Sequence, residues 1–552
     1  MHYNNNDLNK PAEMNKLTVS GNIKASFIDY KDTGYFSRTL VDYIQQDGKL
    51  APFYQYGPDI DGIKKAVEDR KSNSYNRAVL VSELSKQYEA LEISEKLKQN
   101  LSLLSKENTY TITTAHQPNI FTGPLYFVYK ILHAIRLAES LQKELPAYNF
   151  VPVYYMGSED ADLDELGTIN INGKAYTWNT KQSGAVGRMK VDKAFIKLID
   201  EIEAQVSVLP FGKELTTKFR KAYNEGKSIQ SATLELVNDL FGEYGLIVLI
   251  PDNAALKKLF VPVIRKELEE QFSHKIVAET LAELEKHYKV QAGGREINMF
   301  YLINDKRERI EVEAGLYEVK NLGLKFTLEE ILKELDAHPE RFSPNVILRG
   351  TLQETILPNI AFIGGGGELA YWLELKKVFQ AIKVPYPVLI VRNSFLLVEN
   401  EWSKLTEKTG LPVKELFYTE HELMNRIVAL HSNNSVKLNG ELGKLEEFYN
   451  DIMQMATKVD NTLHDHVAAL KTRSLQKLQE LEKKMLRAEK RKFDTELQRI
   501  KKIKSILFPK DSLQERVENI TGLYSLFGKQ LLDVLLEHSL SLEQKFTILE
   551  LE

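Results

Sequence analysis

Between Gly443 and Pro509 the chain runs for 65 residues without a single glycine or proline. Those are the two residue types that interrupt helices most effectively, so the stretch reads as helix from end to end. At 1.5 Å per residue one such helix would extend roughly 95 Å, far beyond the radius of a globular domain. It is therefore expected to be a coiled-coil arm, folded back on another helix or laid against a second subunit. Ala456, Val459, Leu463, His466 and Leu470 keep a heptad rhythm, as do Leu478, Leu481, Met485 and Ala488, with breaks near Ser474 and Lys492. Lys471 to Lys504 carries 13 basic and 5 acidic side chains. This reads first as a solvated helical face, with an anion- or RNA-binding arm as the lesser alternative.

The rest of the 552 residues is long enough for a large core domain. Hydrophobic residues make up 43% and charged residues 27%, a balance that excludes wholesale disorder. The formal net charge of −4 gives no global field for nucleic acid or an anionic membrane, and neither is expected as a partner. No apolar run reaches 18 residues, so no membrane span is expected. Residues Met1 to Lys16 are polar and Asn-rich, which suggests a disordered tail and not a secretory signal. Cysteine is absent, so any thiol in the chemistry belongs to a substrate, and the cytoplasm is the default compartment.

Downstream of a small helical region from Lys24 to about Asn100, the text turns to strand–turn–helix units. Strands are expected at Tyr110–Ala115, Phe150–Met156, Leu246–Ile250, Val346–Leu348, Ile360–Ile363 and Val388–Val391. After the first, a helix should begin near Pro124, with Leu125, Val128, Leu132, Ile135 and Ala138 on its buried face. Several strands precede helices, which favours a parallel α/β sheet. The expected organisation is a core over 17–440 with insertions near 170–235 and 265–335, an arm over 441–510, and a helical segment over 511–552 packing back on the core.

In such a sheet ligands bind where strands end, and four strand-end features stand out. His116-Gln117-Pro118-Asn119 runs through Thr122 and Gly123 into a helix whose free N–H groups suit an anion; the alternative is a capped turn. Glu159, Asp160, Asp162, Asp164 and Glu165 place five carboxylates in seven positions. Crowded carboxylates raise a pKa and call for a cation, such as an ammonium group, an arginine or a metal. They suit amine binding or general-base work, against the alternative of a hydrated acidic turn. Gly364-Gly365-Gly366-Gly367-Glu368 opens a helix through Tyr371 and Trp372 and suits close backbone approach to a ligand or a positive φ, with a plain tight turn as the alternative. It is neither a Walker A loop nor a dinucleotide fingerprint. Arg295, Arg349 and Arg392 lie in apolar surroundings and suit carboxylates or phosphates, or structural ion pairs. No metal-ligand spacing is seen.

At these same loops the chain resembles the bacillithiol biosynthesis cysteine-adding family. The resemblance rests on Phe121-Thr122-Gly123-Pro124-Leu125-Tyr126 with Tyr129-Lys130, and on Glu159-Asp160 with Asp162 and Glu165. It continues through Glu296-Ile297-Asn298-Met299-Phe300-Tyr301-Leu302, Ser343-Pro344-Asn345-Val346 with Leu348-Arg349, Gly364-Gly365 with Glu368, and Ala370-Tyr371-Trp372. It ends in Leu481 to Lys492 and Ser512 to Val517, and the matches run in order from about residue 53 to 530. The resemblance implies a Rossmann-like parallel-sheet core with connecting-peptide insertions, loosely like class I aminoacyl-tRNA synthetases, and a long α-helical coiled-coil domain that makes a homodimer. It also implies a ligase that joins the carboxyl of cysteine to the glucosamine amine of glucosaminyl-malate.

On that reading Glu159, Asp160, Asp162 and His116 are the candidate catalytic groups. Gln117, Asn119, Thr122, Gly123, Tyr126, Lys130, Arg295, Asn298, Arg349, Gly364, Gly365, Gly366, Glu368, Tyr371, Trp372 and Arg392 are the candidate binding groups. Malate carboxylates would go to the arginines and an activating phosphate, as from ATP, to the helix N-termini. The sequence departs from the family's usual pattern at Ala115-His116, Ala161 and Gly366, and it lacks a synthetase-type Lys-Met-Ser-Lys-Ser loop. A related ligase for another amino acid or amino sugar, and a non-catalytic coiled-coil scaffold, are the alternatives.

Overall fold

The structure is a computed structural model that describes residues 23–290, 293–431 and 437–551. The expected tail over 1–16 lies outside the described residues. The chain divides into two compact units, one formed by the residues up to Leu397 together with Ser512 onward, the other by Val398–Asp511.

The first unit is built on five parallel strands: β1 (Thr109–His116), β2 (Asn149–Met156), β3 (Ile247–Leu249), β4 (Asn359–Gly364) and β5 (Val388–Val391). Their order across the sheet is β5-β4-β1-β2-β3. The chain steps outward from β1 in one direction, then returns to the other side of β1 to lay down β4 and β5. The order therefore reverses between β1 and β4, and a cleft opens at such a switch point, beyond the carboxyl ends of the strands. Nearly every strand residue is buried, as the apolar and threonine-rich runs require of strands covered on both faces. Helix α1 (Tyr126–Glu144) covers β1 and β2; the expected Val128, Leu132, Ile135 and Ala138 are all buried, and Ala134, Leu137, Ala138 and Leu141 share a core cluster with Ile112 of β1 and Phe150 of β2. It starts two residues after Pro124, which bridges to Asn519 instead of opening the helix.

One expected strand is a helix: Val346–Leu348 opens α2 (Val346–Ile356), because the Asn345 side chain accepts the Ile347 N–H and caps it. Between β2 and β3 lie a two-stranded hairpin, Thr168–Ile171 with Lys174–Thr177, and three helices from Lys193 to Phe241. Between β3 and β4 lie further helices, two small antiparallel sheets and α2. After β4 comes α3 (Gly366–Ala381). The segment from Ser512 is not purely helical: it ends in a strand, Phe546–Leu551, antiparallel to Lys24–Ile28, so both ends of the described chain share one sheet.

The second unit begins well before the expected boundary at 441. Leu411, Leu423 and Ile427 share an apolar cluster with Ile500, so the helices flanking 398–440 fold with α6 (Asp494–Leu507). The long stretch is two helices and α6, not one rod. Helix α4 (Asn439–Val459) ends where Asp460 accepts the Thr462 N–H (2.8 Å) and hydroxyl, an Asx-type turn made without glycine or proline. Helix α5 (Leu463–Lys490) then returns antiparallel, with the Tyr449 and Ser474 hydroxyls 2.7 Å apart and the Leu438 N–H donating to Glu482. The heptad read across Val459 and Leu463 is thus broken by a turn. The chain passes Ser474 without a break, and the break near Lys492 is a 3-10 turn at Arg491–Phe493. No helix of the described residues is long and apolar enough to cross a membrane.

Candidate active site

A cleft of about 370 Å³ sits at the switch point, lined by the ends of β1 and β4 and the first turns of α1, α2 and α3. Of the predicted residues it gathers His116, Gln117, Tyr126, Lys130, Asp160, Arg349, Gly365, Gly366, Glu368, Tyr371 and Arg392.

Its floor is an ordered set of charges. Lys130, 2% exposed, donates to the Ala115 carbonyl at 3.0 Å and pairs with Glu368. Burial lowers the Lys130 pKa while Glu368 opposes that shift. Glu368 also accepts the Gly365 N–H at 2.9 Å, so its carboxylate both caps α3 and neutralises Lys130. Arg392 pairs with the buried Glu515 at 2.7 Å, and its guanidinium lies 5.2 Å from the Tyr126 ring. Burial works against the Arg392 charge, but Glu515, with Tyr30 and Tyr126, more than offsets it. His116 has its ring edge-on to Tyr126, and its Nε2 has no hydrogen-bond partner among the described residues. Burial first, then Lys130, Arg349 and Arg392, hold its pKa well below the ordinary histidine range, so it is a neutral base.

Two features of the walls differ from the floor. The side chain of Arg349, on the first turn of α2, has no hydrogen bond or ion pair among the described residues, and neither does that of the exposed Arg516. Asp160 pairs with Arg307 at 3.6 Å, and Glu165 has no cation partner among the described residues. Burial, then Asp162 and Asp160, raise the Glu165 pKa. The cleft thus carries two guanidinium groups, Arg349 and Arg516, and one carboxylate, Glu165, without a side-chain ion pair among the described residues. None of the four glycines has a positive φ. A Cβ on Gly367 would meet nothing within 4 Å and would project into open space, whereas one on Gly364 would lie 2.6 Å from Leu369.

Other predicted residues support the cleft from outside it. Glu159, 7% exposed, pairs with the buried Lys257 and accepts the Ser343 hydroxyl at 2.8 Å, so its charge is committed. Asp162 caps the turn Leu163–Leu166 by accepting the Glu165 N–H. Asn119, Thr122 and Gly123 lie below the surface in a strained loop, with φ of 48° at Phe121 and 74° at Thr122. Asn519 holds that loop by donating to the Phe121 and Gly123 carbonyls. Gly364 closes β4, its carbonyl accepting the Arg392 N–H. Trp372 is core, 4.5 Å from the Phe362 ring. Asn298 is fully buried and hydrogen-bonds Ser273, Arg295 and Asn345, so it acts on the cleft only by placing Asn345. Arg295 is exposed and does not line the cleft.

The cleft also contains Glu165, Asn345, Gly367 and Arg516, which were not singled out as site residues. Glu165 and Gly367 belong to motifs that were noted. Arg516 approaches from the returning C-terminal segment, and only its place in the Ser512 to Val517 resemblance pointed to it. Among the described residues no group of three or more His, Cys, Asp or Glu is placed to hold a metal ion.

Residues 23–393 match the family model for the N-terminal Rossmann-like domain of the bacillithiol biosynthesis protein BshC. Residues 395–551 match that for its C-terminal coiled-coil domain. A Flavobacterium johnsoniae protein named "Putative cysteine ligase BshC" is 40% identical over 524 residues, covering 95% of this chain and 99% of the relative. Proteins of the same name from Flavobacterium psychrophilum and Natranaerobius thermophilus are 40% and 27% identical, covering 95% and 94% of this chain and 99% and 98% of the relatives. With both of its units matched over nearly their whole length, this chain belongs to the BshC family of bacillithiol biosynthesis.

Proposed function

We propose that this chain is a cysteine ligase that joins the carboxyl of cysteine to the glucosamine amine of glucosaminyl-malate in the β1/β4 cleft. The observation that carries this reading is that Arg349, Arg516 and Glu165 line one cleft without a side-chain ion pair among the described residues. Arg349 and Arg516 suit the two malate carboxylates, since a guanidinium fork matches a carboxylate in shape and charge. Asp160 and Glu165 suit the amines of the two substrates. As the amide bond forms, the attacking amine must lose a proton, and Glu165, a cleft carboxylate whose pKa is raised by burial and by Asp162 and Asp160, suits the acceptor's role. His116, a neutral imidazole, is a second acceptor in the same cleft.

Amide formation needs an activated carboxyl, and ATP as the activating co-substrate is part of this proposal. The first-turn N–H groups of Gly366 and Gly367, with the open space beside Gly367, fit a phosphate. When bound, the nucleotide supplies a leaving group on the cysteine carboxyl. A homodimer through the arm is also part of the proposal. Phe448, Met455 and Val459 recur at steps of seven and four on α4 and are 57%, 60% and 82% exposed, an apolar stripe that a second copy would cover. A cytoplasmic location follows from the reaction proposed. Titration of glucosaminyl-malate into the wild type and Arg349→Ala tests the site: at least about a tenfold loss of affinity is expected, and equal affinity would contradict the assignment.

A further inference from the structure

A second concavity, of about 220 Å³, opens at the other end of the sheet, where β1 and β2 begin. Arg70 closes the helix Ile60–Arg70 and is 1% exposed. Its Nε donates to the Asn359 carbonyl at 2.6 Å and its Nη2 pairs with Glu354 at 3.1 Å. Its Nη1 is buried and has no hydrogen-bond partner among the described residues. The same is true of the Tyr75 hydroxyl and of Arg77 Nε, which has only the exposed Glu107 carboxylate at 3.8 Å. All three residues line this one concavity.

Buried polar groups are nearly always hydrogen-bonded, and leaving one unmet is costly. Guanidinium N–H groups can only donate, and a tyrosine hydroxyl can donate alongside them. What satisfies such a set is an acceptor with several lone pairs, which is an oxyanion. Lys71 stands at the rim, 5.8 Å from the Tyr148 ring, with the exposed Glu68 carboxylate 2.6 Å from its ammonium, which a ligand anion would share. The remaining walls are aromatic: Tyr110 and Tyr148 have ring centroids 5.8 Å apart. The volume lies below the roughly 300–1,000 Å³ of pockets that take drug-sized ligands, so one ring and one charged group fill it.

We propose that this concavity is a second binding site, separate from the β1/β4 cleft, for a small single-ring oxyanion whose charged group meets Arg70, Tyr75 and Lys71. Carboxylate and phosphate share this chemistry. Calorimetric titration of the full chain with benzoate, phenyl phosphate and inorganic phosphate separates them, because the ring-bearing probes should bind more tightly than inorganic phosphate. Arg70 holds a buried ion pair, so the variants used are Tyr75→Phe, which removes only the unpartnered hydroxyl, and Lys71→Ala at the rim. Each should weaken the better ring-bearing probe about tenfold, while Arg349→Ala in the cleft leaves it unchanged. The proposal is overturned if neither ring-bearing probe binds the wild type, if Tyr75→Phe and Lys71→Ala leave affinity intact, or if Arg349→Ala abolishes binding.

Discussion

Glu515 is the counter-charge that lets Arg392 sit at the back of the cleft, and replacing it with glutamine keeps its shape while stranding the guanidinium. The pair is separated by 2.7 Å, with side-chain exposures of 5% and 0%. At that distance and an effective dielectric of about 20, the attraction lost is about 6 kcal/mol. The Asn393 carbonyl at 3.0 Å, the Ser394 hydroxyl at 3.2 Å and the Tyr126 ring still stabilise the cation. The net cost of Glu515→Gln should therefore be about 3–5 kcal/mol, as for other broken buried pairs. Adding Arg392→Met removes the stranded charge and should restore at least about 2 kcal/mol. The chain has 3 tryptophans, and Trp402 lies in the second unit. In a Trp402→Phe background, urea unfolding followed by fluorescence reports the first unit through Trp178 and Trp372. A single variant within about 1 kcal/mol of its parent, or a double variant no more stable than the single, would refute the reasoning.

Three further outcomes are expected. Burial lowers the His133 pKa to about 4, the ring accepting the Asn393 N–H and hydrogen-bonded to the Ser541 carbonyl. The unfolded chain takes up that proton from about pH 6.5 downward and the folded chain only near 4, so stability falls with pH across that window by roughly 3 kcal/mol. Denaturation midpoints from pH 7 to 4 should fall less steeply for His133→Gln, and parallel curves would contradict this. Gly367→Ala should leave folding intact or raise stability by about 0.5–1 kcal/mol while impairing ligation, because its methyl group enters the cleft. Gly364→Ala should destabilise by about 1–3 kcal/mol through contact with Leu369 and Phe362; thermal unfolding beside a ligation assay separates the two. Met455→Glu with Val459→Glu should turn a dimer into a monomer in light scattering, and an unchanged mass would place the contact elsewhere.

Most of the fold was legible because its signals are local. Apolar and threonine-rich runs located five of the six expected strands, and the glycine- and proline-free stretch announced the helices of the arm. Val346–Leu348 misled because a three-residue apolar run has no period of its own, and the Asn345 cap decided it. The Asp460 turn was hidden because Asx hydrogen bonds bend the chain without a breaker residue. At the site, motif position showed which loops meet at the cleft but not which way each side chain faces. Glu159 and Asp160 are adjacent, yet the first is spent on Lys257 and the second faces the cleft. Trp372 follows Tyr371 but points into the core. Such alternation depends on partners far away in sequence, as does the ion pair between Arg392 and Glu515, and no local pattern carries it.

The central claim, cysteine addition in this cleft, is tested most directly by thiol profiling of a deletion strain of the source bacterium carrying either the wild-type chain or Arg349→Ala at equal abundance. The account predicts bacillithiol with the wild type, and loss of bacillithiol with build-up of glucosaminyl-malate in Arg349→Ala. Full bacillithiol in the Arg349→Ala strain would move the chemistry out of this cleft, and a deletion strain that keeps its bacillithiol with no second copy of the gene would contradict the proposed function itself.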